Sequence, residues 1–449
     1  MDSIINWINN LEAASDPTSL PKPAPSLPSQ AASRKRKTIS NYSLASPPLS
    51  YTGGDDNIMT STPQKRRRMQ SQDGLPDPDA TPRPGARSIP SSAASISGSE
   101  TSSLSRSSSV KGQMMRLRMS GTGVETKSLN EDTVPAVAKP LFLTMAEIER
   151  GLNILPAALR NIIRDDQGLS QDDFESQWQY SFKSANKPDH LPGRIPSIVQ
   201  IKIILARTTK CENGKLDEAS WNTMVHWPLL SLIFEDDFGE QCSDFNTIPC
   251  PTARPHRAYT PGLSSARMVD LCIYATLNQY PELDTAINAF TDTTATHSVN
   301  HTDYYGLQFT PLIISIETKQ PGGGEWDRAQ LQMGVWHAAQ WNFLRSGVEQ
   351  KLRTQRPAQD DETFKAETLS ALSKLGFIPG IFVNGSRWHL VISTYDDGKT
   401  TLWAEWVFGA TKSLMKIFAV IAGVRELTAW GRDQYLPWFK ENVLTVEED

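Results

Sequence analysis

Eight consecutive residues, Leu312-Ile313-Ile314-Ser315-Ile316-Glu317-Thr318-Lys319, constrain the fold of this chain more than any other segment. An apolar run of this length reads as a buried strand. It ends in an acid and a base two residues apart. Strand side chains alternate, so Glu317 and Lys319 leave one face and Thr318 the other. Ionised groups at the end of a buried strand are costly unless they pair with each other or with a metal. A buried ion pair closing the strand is one reading, and half of a metal site is the other.

A second run shifts the balance toward the metal site. In Met268-Val269-Asp270-Leu271-Cys272-Ile273-Tyr274 a carboxylate sits within another expected strand. If the two strands are neighbours, Asp270 and Glu317 reach one divalent ion. Mg²⁺ or Mn²⁺ takes oxygen ligands: one or two carboxylates, waters, and here the Thr318 carbonyl. Such an ion polarises a phosphoryl oxygen and acidifies a bound water, with Lys319 positioning or activating that water or offsetting developing negative charge. Past Pro321-Gly322-Gly323-Gly324 a helix is expected from about Trp326 to Leu344. Ala329, Gln332, Trp336 and Phe343 recur on its inward face. An inward Gln332 needs partners; a metal-bound water, a substrate phosphate or a backbone group would serve.

The rest of the chain divides in two. Residues 1–135 are rich in Pro and Ser, with apolar residues too sparse to offset chain entropy, and are expected to be a disordered tail. The short apolar segment Ile4-Ile5-Asn6-Trp7-Ile8 is either a docking peptide or an inert terminus. Residues 1–130 hold 16 Lys+Arg against 10 Asp+Glu, whereas the remainder holds 29 against 40. The basic excess is concentrated in Arg34-Lys35-Arg36-Lys37 and Lys65-Arg66-Arg67-Arg68. Such clusters suit an acidic groove on a nuclear import receptor or nucleic-acid phosphates, or simply keep a tail solvated. A nuclear protein is the expectation. No stretch of about 18 apolar residues exists, so no membrane partner is expected.

Residues 136–449 read as one mixed α/β domain: three helical stretches, two strands, the Trp326 helix, a three-stranded meander and a last helix over Leu414–Trp430. The meander strands are expected at Phe377–Val383, Arg387–Tyr395 and Thr401–Phe408. Asn384-Gly385 marks one turn and Asp397-Gly398 a longer one. Glu349 to Lys374 reads as a charged connecting stretch. Cys211, Cys242, Cys250 and Cys272 with His226 and His256 lack paired zinc-ligand spacing. His301 is expected to be structural. Trp406 and Trp438 are the tryptophans left as base-stacking candidates.

Asp270, then Glu317-Thr318-Lys319, then Gln332-Met333-Gly334-Val335-Trp336 resembles the PD-(D/E)XK nuclease superfamily. The surrounding text looks like a fungal PD-(D/E)XK nuclease-like family. It is carried by Trp221…His226-Trp227-Pro228-Leu229-Leu230, Asn300-His301-Thr302-Asp303-Tyr304, Ile316-Glu317-Thr318-Lys319, Leu331 to Trp341, Gly376-Phe377-Ile378-Pro379-Gly380 and Tyr435-Leu436-Pro437-Trp438. The likeness covers about residues 145–440. It implies a restriction-endonuclease-like mixed sheet flanked by helices, Mg²⁺ at the Asp270 and Glu317 positions, and Glu218 as an added acid from the first core helix. It also implies phosphodiester hydrolysis of nucleic acid, with DNA the expected polymer. Trp336 departs from the family's more common Tyr. The interval from Asp270 to Glu317 is long and must hold a helix near Pro281 to Phe290. A catalytically idle nuclease fold, serving as a nuclear DNA-binding or protein-interaction module, is the alternative.

Overall fold

The computed structural model describes residues 109–186, 188–260, 268–277, 281–322 and 325–445. The Ile4 segment, both basic clusters and most of the expected tail lie outside these residues. The expected boundary at residue 135 is too late. Helix α1 (Val110–Met119) and strand β1 (Val124–Ser128) precede it. β1 is Val-Glu-Thr-Lys-Ser with only Val124 buried, so no apolar alternation announces it. Its order comes from a parallel partner far along the chain, with Val124 opposite Thr400 and Ser128 opposite Ala404.

Helices α2 (Lys139–Glu149), α3 (Arg160–Gln167), α4 (Gln171–Trp178) and α5 (Ile198–Asn213) follow. Ser197 and Gln200 form a reciprocal capping box that starts α5. The next helical stretch is continuous but not uniform. α6 (Glu218–Trp221) runs through a π turn over Asn222–His226 into α7 (Trp227–Phe234). Asp217 caps its start by accepting the Ser220 N–H at 2.9 Å.

The strands are β2 (Phe245–Pro249), β3 (Leu271–Ala275), β4 (Leu312–Lys319), β5 (Ile378–Asn384), β6 (Arg387–Asp396) and β7 (Lys399–Ala410). With β1 they form one seven-stranded sheet in the order β1-β7-β6-β5-β4-β3-β2. The pairs β1–β7 and β4–β5 are parallel and the others antiparallel, so the sheet is mixed as expected. Both meander turns have two residues. At the first, Gly385 takes φ +55° between the paired residues Asn384 and Arg387, the first-position glycine of a type II′ turn. At the second, Asp397 and Gly398 both have positive φ between Asp396 and Lys399, so the loop is shorter than expected.

Helix α8 (Pro281–Thr293) fills the long interval before β4. α9 (Trp326–Gln355) runs well past its expected end, and α10 (Asp361–Leu375) occupies most of what reads as a charged connection. α11 (Leu414–Trp430) falls where its apolar spacing puts it, and α12 (Leu436–Asn442) ends the described fold. All eight residues of β4 are buried. Leu312 shares one buried cluster with Met333 and Trp336 of α9, Phe382 of β5 and Leu402 of β7. Ile314 and Ile316 share another with Ile421 and Val424 of α11. The strand ending in Glu317 and Lys319 is thus the centre of the core. Among the described residues no helix is long and apolar enough to cross a membrane.

Candidate active site

The site is built where β4 leaves the core. β3 runs beside it, with Leu271 opposite Ile316. That register brings Asp270 against the Glu317–Thr318 step. Its amide donates to the Ile316 carbonyl at 3.1 Å, and its Oδ2 accepts both the Thr318 N–H at 2.8 Å and the Thr318 hydroxyl at 2.9 Å. On the other flank Lys319 pairs with Asn384 of β5, and the Gly385 amide donates to the Lys319 carbonyl at 2.8 Å. The turn after β5 therefore pins the end of β4.

Lys319 gathers the remaining charges. Its Nζ lies 2.6 Å from Glu317 Oε1 and 3.3 Å from Glu218 Oε2, and donates to the Thr318 carbonyl at 2.6 Å. The Thr318 carbonyl, expected as a metal ligand, is thus engaged by the lysine. Thr318 contributes instead by holding Asp270. Glu218 reaches the site because His226, one helical stretch later, is clamped: its Nδ1 meets Asn222 Oδ1 at 2.8 Å and its Nε2 meets the Gly385 carbonyl at 2.8 Å. The same turn that pins β4 fixes the helix bearing Glu218.

Glu317 is the anomaly. The residue is 0% exposed, and among the described residues its carboxylate is met by one group, the Lys319 ammonium 2.6 Å from Oε1, with no further hydrogen-bond partner. Burial first, then the nearby Asp270 charge, push its carboxyl well above the ordinary range despite the pull of Lys319. Burial also raises Glu218, with Asp270 adding to it and Lys319 opposing. For Lys319, burial disfavours the charge, but Glu317, Asp270 and Glu218 outweigh it and its pKa is raised. Three carboxylates therefore share one ammonium. A buried acid met by one shared lysine, in a set with excess negative charge, fits a hard divalent cation. Mg²⁺ takes one or two carboxylates plus waters, so Asp270 and Glu317 suffice. Among the described residues no three His, Cys, Asp or Glu side chains close around a common point, and Lys319 bridges two of the acids.

Gln332 is half-buried on α9 and its Nε2 donates to the Met268 carbonyl at 3.3 Å, two residues from Asp270. It braces the segment leading into β3, which is the backbone role left open from its spacing. Trp336 Nε1 donates to Ser315 Oγ at 2.7 Å inside the core, so the position of the family's tyrosine is filled by a brace for β4. His301 is buried edge-on to Trp336 with ring centroids 4.5 Å apart. Trp438 is buried and donates to the Ala371 carbonyl, and Trp406, half-buried, packs against the core edge-on to Phe142. The spacing of residues did not reveal the Asp270–Thr318 contact, nor the pairing of Cys250 with Cys272, whose Sγ atoms lie 3.1 Å apart.

Exposed cations lie on segments that adjoin the site in the chain although the body is acidic. Lys215 precedes Glu218, Arg387 follows the turn that pins Lys319, and Arg254 and Arg257 lie in the loop after β2. All four are exposed and make no ion pair among the described residues. That loop joins the site through Cys250, whose amide donates to the Asp270 carbonyl at 2.8 Å.

A family model described as the PD-(D/E)XK nuclease superfamily matches residues 165–436, a span that contains Glu218, Asp270, Glu317, Thr318, Lys319 and Gln332. No curated protein and no solved structure matches the chain.

Proposed function

The chain belongs to the PD-(D/E)XK nuclease superfamily, and we propose from its site that it hydrolyses phosphodiester bonds in DNA with Mg²⁺ or Mn²⁺. The observation that carries this reading is Glu317: a carboxylate buried at the end of the central strand, beside Asp270, with one lysine shared between it and Glu218. Asp270 and Glu317 would hold the cation. When bound, it supplies Lewis-acid polarisation of the phosphoryl oxygen and acidifies a coordinated water.

The protein groups take the other roles. Lys319 has a raised pKa and stays an ammonium at neutral pH. It therefore orients water and offsets charge on the phosphate as donor, and does not act as the base. Glu218, raised by burial and with a side chain 34% exposed, is the group best matched to receive the proton of the attacking water. Thr318 and Gln332 are positioning residues for Asp270 and its strand. The exposed cations of the adjoining segments, Lys215, Arg254, Arg257 and Arg387, would attract the polyanion that the acidic body repels.

The choice of DNA rests on the two basic clusters of the tail, which we propose address the chain to the nucleus through an import receptor. A place within the fungal branch of the superfamily is proposed on the ordered motifs from Trp221 to Trp438. Cleavage of end-labelled DNA with Mg²⁺ and with EDTA, by wild type and by Asp270→Asn, tests the reading. Cation-dependent products lost in the variant support it. Products that survive EDTA or the substitution overturn it.

A further inference from the structure

The edge of the sheet next to Asp270 carries a second set of features that the hydrolytic chemistry does not use. Arg254 and Arg257 project from a loop, residues 250–260, that contains no Asp or Glu. This loop is stitched to the one preceding β4. Pro255 bridges Thr302, the His256 amide donates to the His301 carbonyl at 2.8 Å, and the Tyr304 hydroxyl donates to the Pro249 carbonyl at 3.2 Å. The seam ties the loop that carries Tyr305, 88% exposed, to the loop that carries the two arginines.

Tyr305 stands on a rigid support. Asn300 is buried and uses its whole amide on this loop. Its Nδ2 donates to the carbonyls of Leu307 at 2.6 Å and Thr310 at 3.0 Å, and its Oδ1 accepts the Leu312 amide at 2.8 Å. An aromatic ring held in solvent by a fixed loop loses little entropy when a planar group stacks on it. The contrast with Phe238 is instructive. Phe238 is 91% exposed but flanked by Glu235, Asp236, Asp237 and Glu240, which repel phosphates. Beside Tyr305 in the chain the nearest acid is Asp303, and the two arginines of the adjoining loop make no ion pair among the described residues.

We propose that this edge binds an unpaired stretch of the substrate strand, with phosphates along Arg254 and Arg257 and one base stacked on Tyr305. A base inside a duplex has both faces covered by its neighbours, so a stacking platform selects single-stranded nucleic acid, whereas arginine–phosphate contacts serve either form. This inference rests on the hydrolytic reading and narrows its substrate to DNA that is single-stranded or frayed beside the scissile bond.

The test uses the full chain with both tail clusters replaced by alanine, so that the tail adds no phosphate contacts. Fluorescence anisotropy in EDTA reads binding of a labelled single-stranded oligonucleotide and of its blunt duplex. Tyr305→Ala should weaken single-strand binding about tenfold, with Tyr305→Phe near wild type and duplex binding little changed. Arg254→Ala with Arg257→Ala should weaken both and flatten the salt dependence by about one to two phosphate contacts. Single-strand binding unmoved by Tyr305→Ala, or a preference for the blunt duplex, overturns the inference. If DNA cleavage with Mg²⁺ persists in that case, the hydrolytic reading survives it. A chain that binds neither oligonucleotide and cleaves nothing removes both.

Discussion

A single oxygen, Asp270 Oδ2, accepts two hydrogen bonds from Thr318, one from its amide at 2.8 Å and one from its hydroxyl at 2.9 Å. The residue between the Glu and the Lys of the motif thus fixes the carboxylate contributed by the neighbouring strand. Thr318 is buried, so Thr318→Val keeps its shape and removes one donor. We expect cleavage to fall by about tenfold or somewhat more, in line with the lower end of the roughly 1.5–3 kcal/mol of a hydrogen bond to a charged group. Thr318→Ser should recover most of it. Cleavage rates at saturating and limiting Mg²⁺ check this, since loss of Asp270 positioning raises the cation concentration required.

Lys319 competes with a cation for the acids it bridges. Lys319→Met should abolish cleavage while strengthening Mn²⁺ binding, because one positive charge leaves a pocket holding three carboxylates. In EDTA the same variant should be less stable by roughly 3–5 kcal/mol, as expected when a buried pair loses one partner. Titration calorimetry and urea unfolding read the two effects. Mn²⁺ binding weakened by the substitution would contradict the assigned electrostatics.

Four buried histidines set the acid limit of the fold. Burial lowers the pKa of His226 and His389 to about 4 and of His301 and His337 to about 3. The unfolded chain protonates them near 6.5, so below that pH it binds more protons than the native state. Their stabilising effect is present above pH 6.5 and is lost as pH falls toward 3–4. Each contributes roughly 1.4 kcal/mol per pH unit in that window. Glu317 and Glu218, both raised in the native state, act in the opposite direction with at most two protons against four. The urea midpoint in EDTA should therefore drop steeply from pH 7 to 5.5. A flat midpoint over that range contradicts the buried, neutral state of these rings.

Nuclear accumulation is expected to require the tail clusters. Replacing Arg34-Lys35-Arg36-Lys37 and Lys65-Arg66-Arg67-Arg68 by alanine should leave a fluorescently tagged chain outside the nucleus. Unchanged accumulation would remove the address from these residues.

Elements whose order is local were legible in the text of the chain. β4 spans Leu312–Lys319 and α11 spans Leu414–Trp430, because each is an apolar pattern with sharp ends. Elements stabilised by distant partners were not. β1 has one buried residue and needs β7; β2 is a five-residue strand of mixed character that needs β3. α10 buries Phe364, Ala371, Leu372 and Leu375 within a charged stretch, so its polar face hides it. At the site, strand alternation was enough to pair Glu317 with Lys319, and the resemblance brought in Glu218. The Thr318–Asp270 contact depends on the β3–β4 register, and the place of Arg254 and Arg257 on how two loops are stitched. Neither is encoded by spacing.

The most direct test is nicking of supercoiled plasmid DNA by wild type and Glu317→Gln with Mg²⁺, Mn²⁺ or EDTA. Glu317→Gln keeps the buried volume and removes the charge the cation would meet. Wild type should nick with either ion and not in EDTA, and the variant should be slower by at least about a hundredfold. A wild-type chain that nicks with neither ion, or a variant that nicks as fast as wild type, would contradict hydrolysis at this centre.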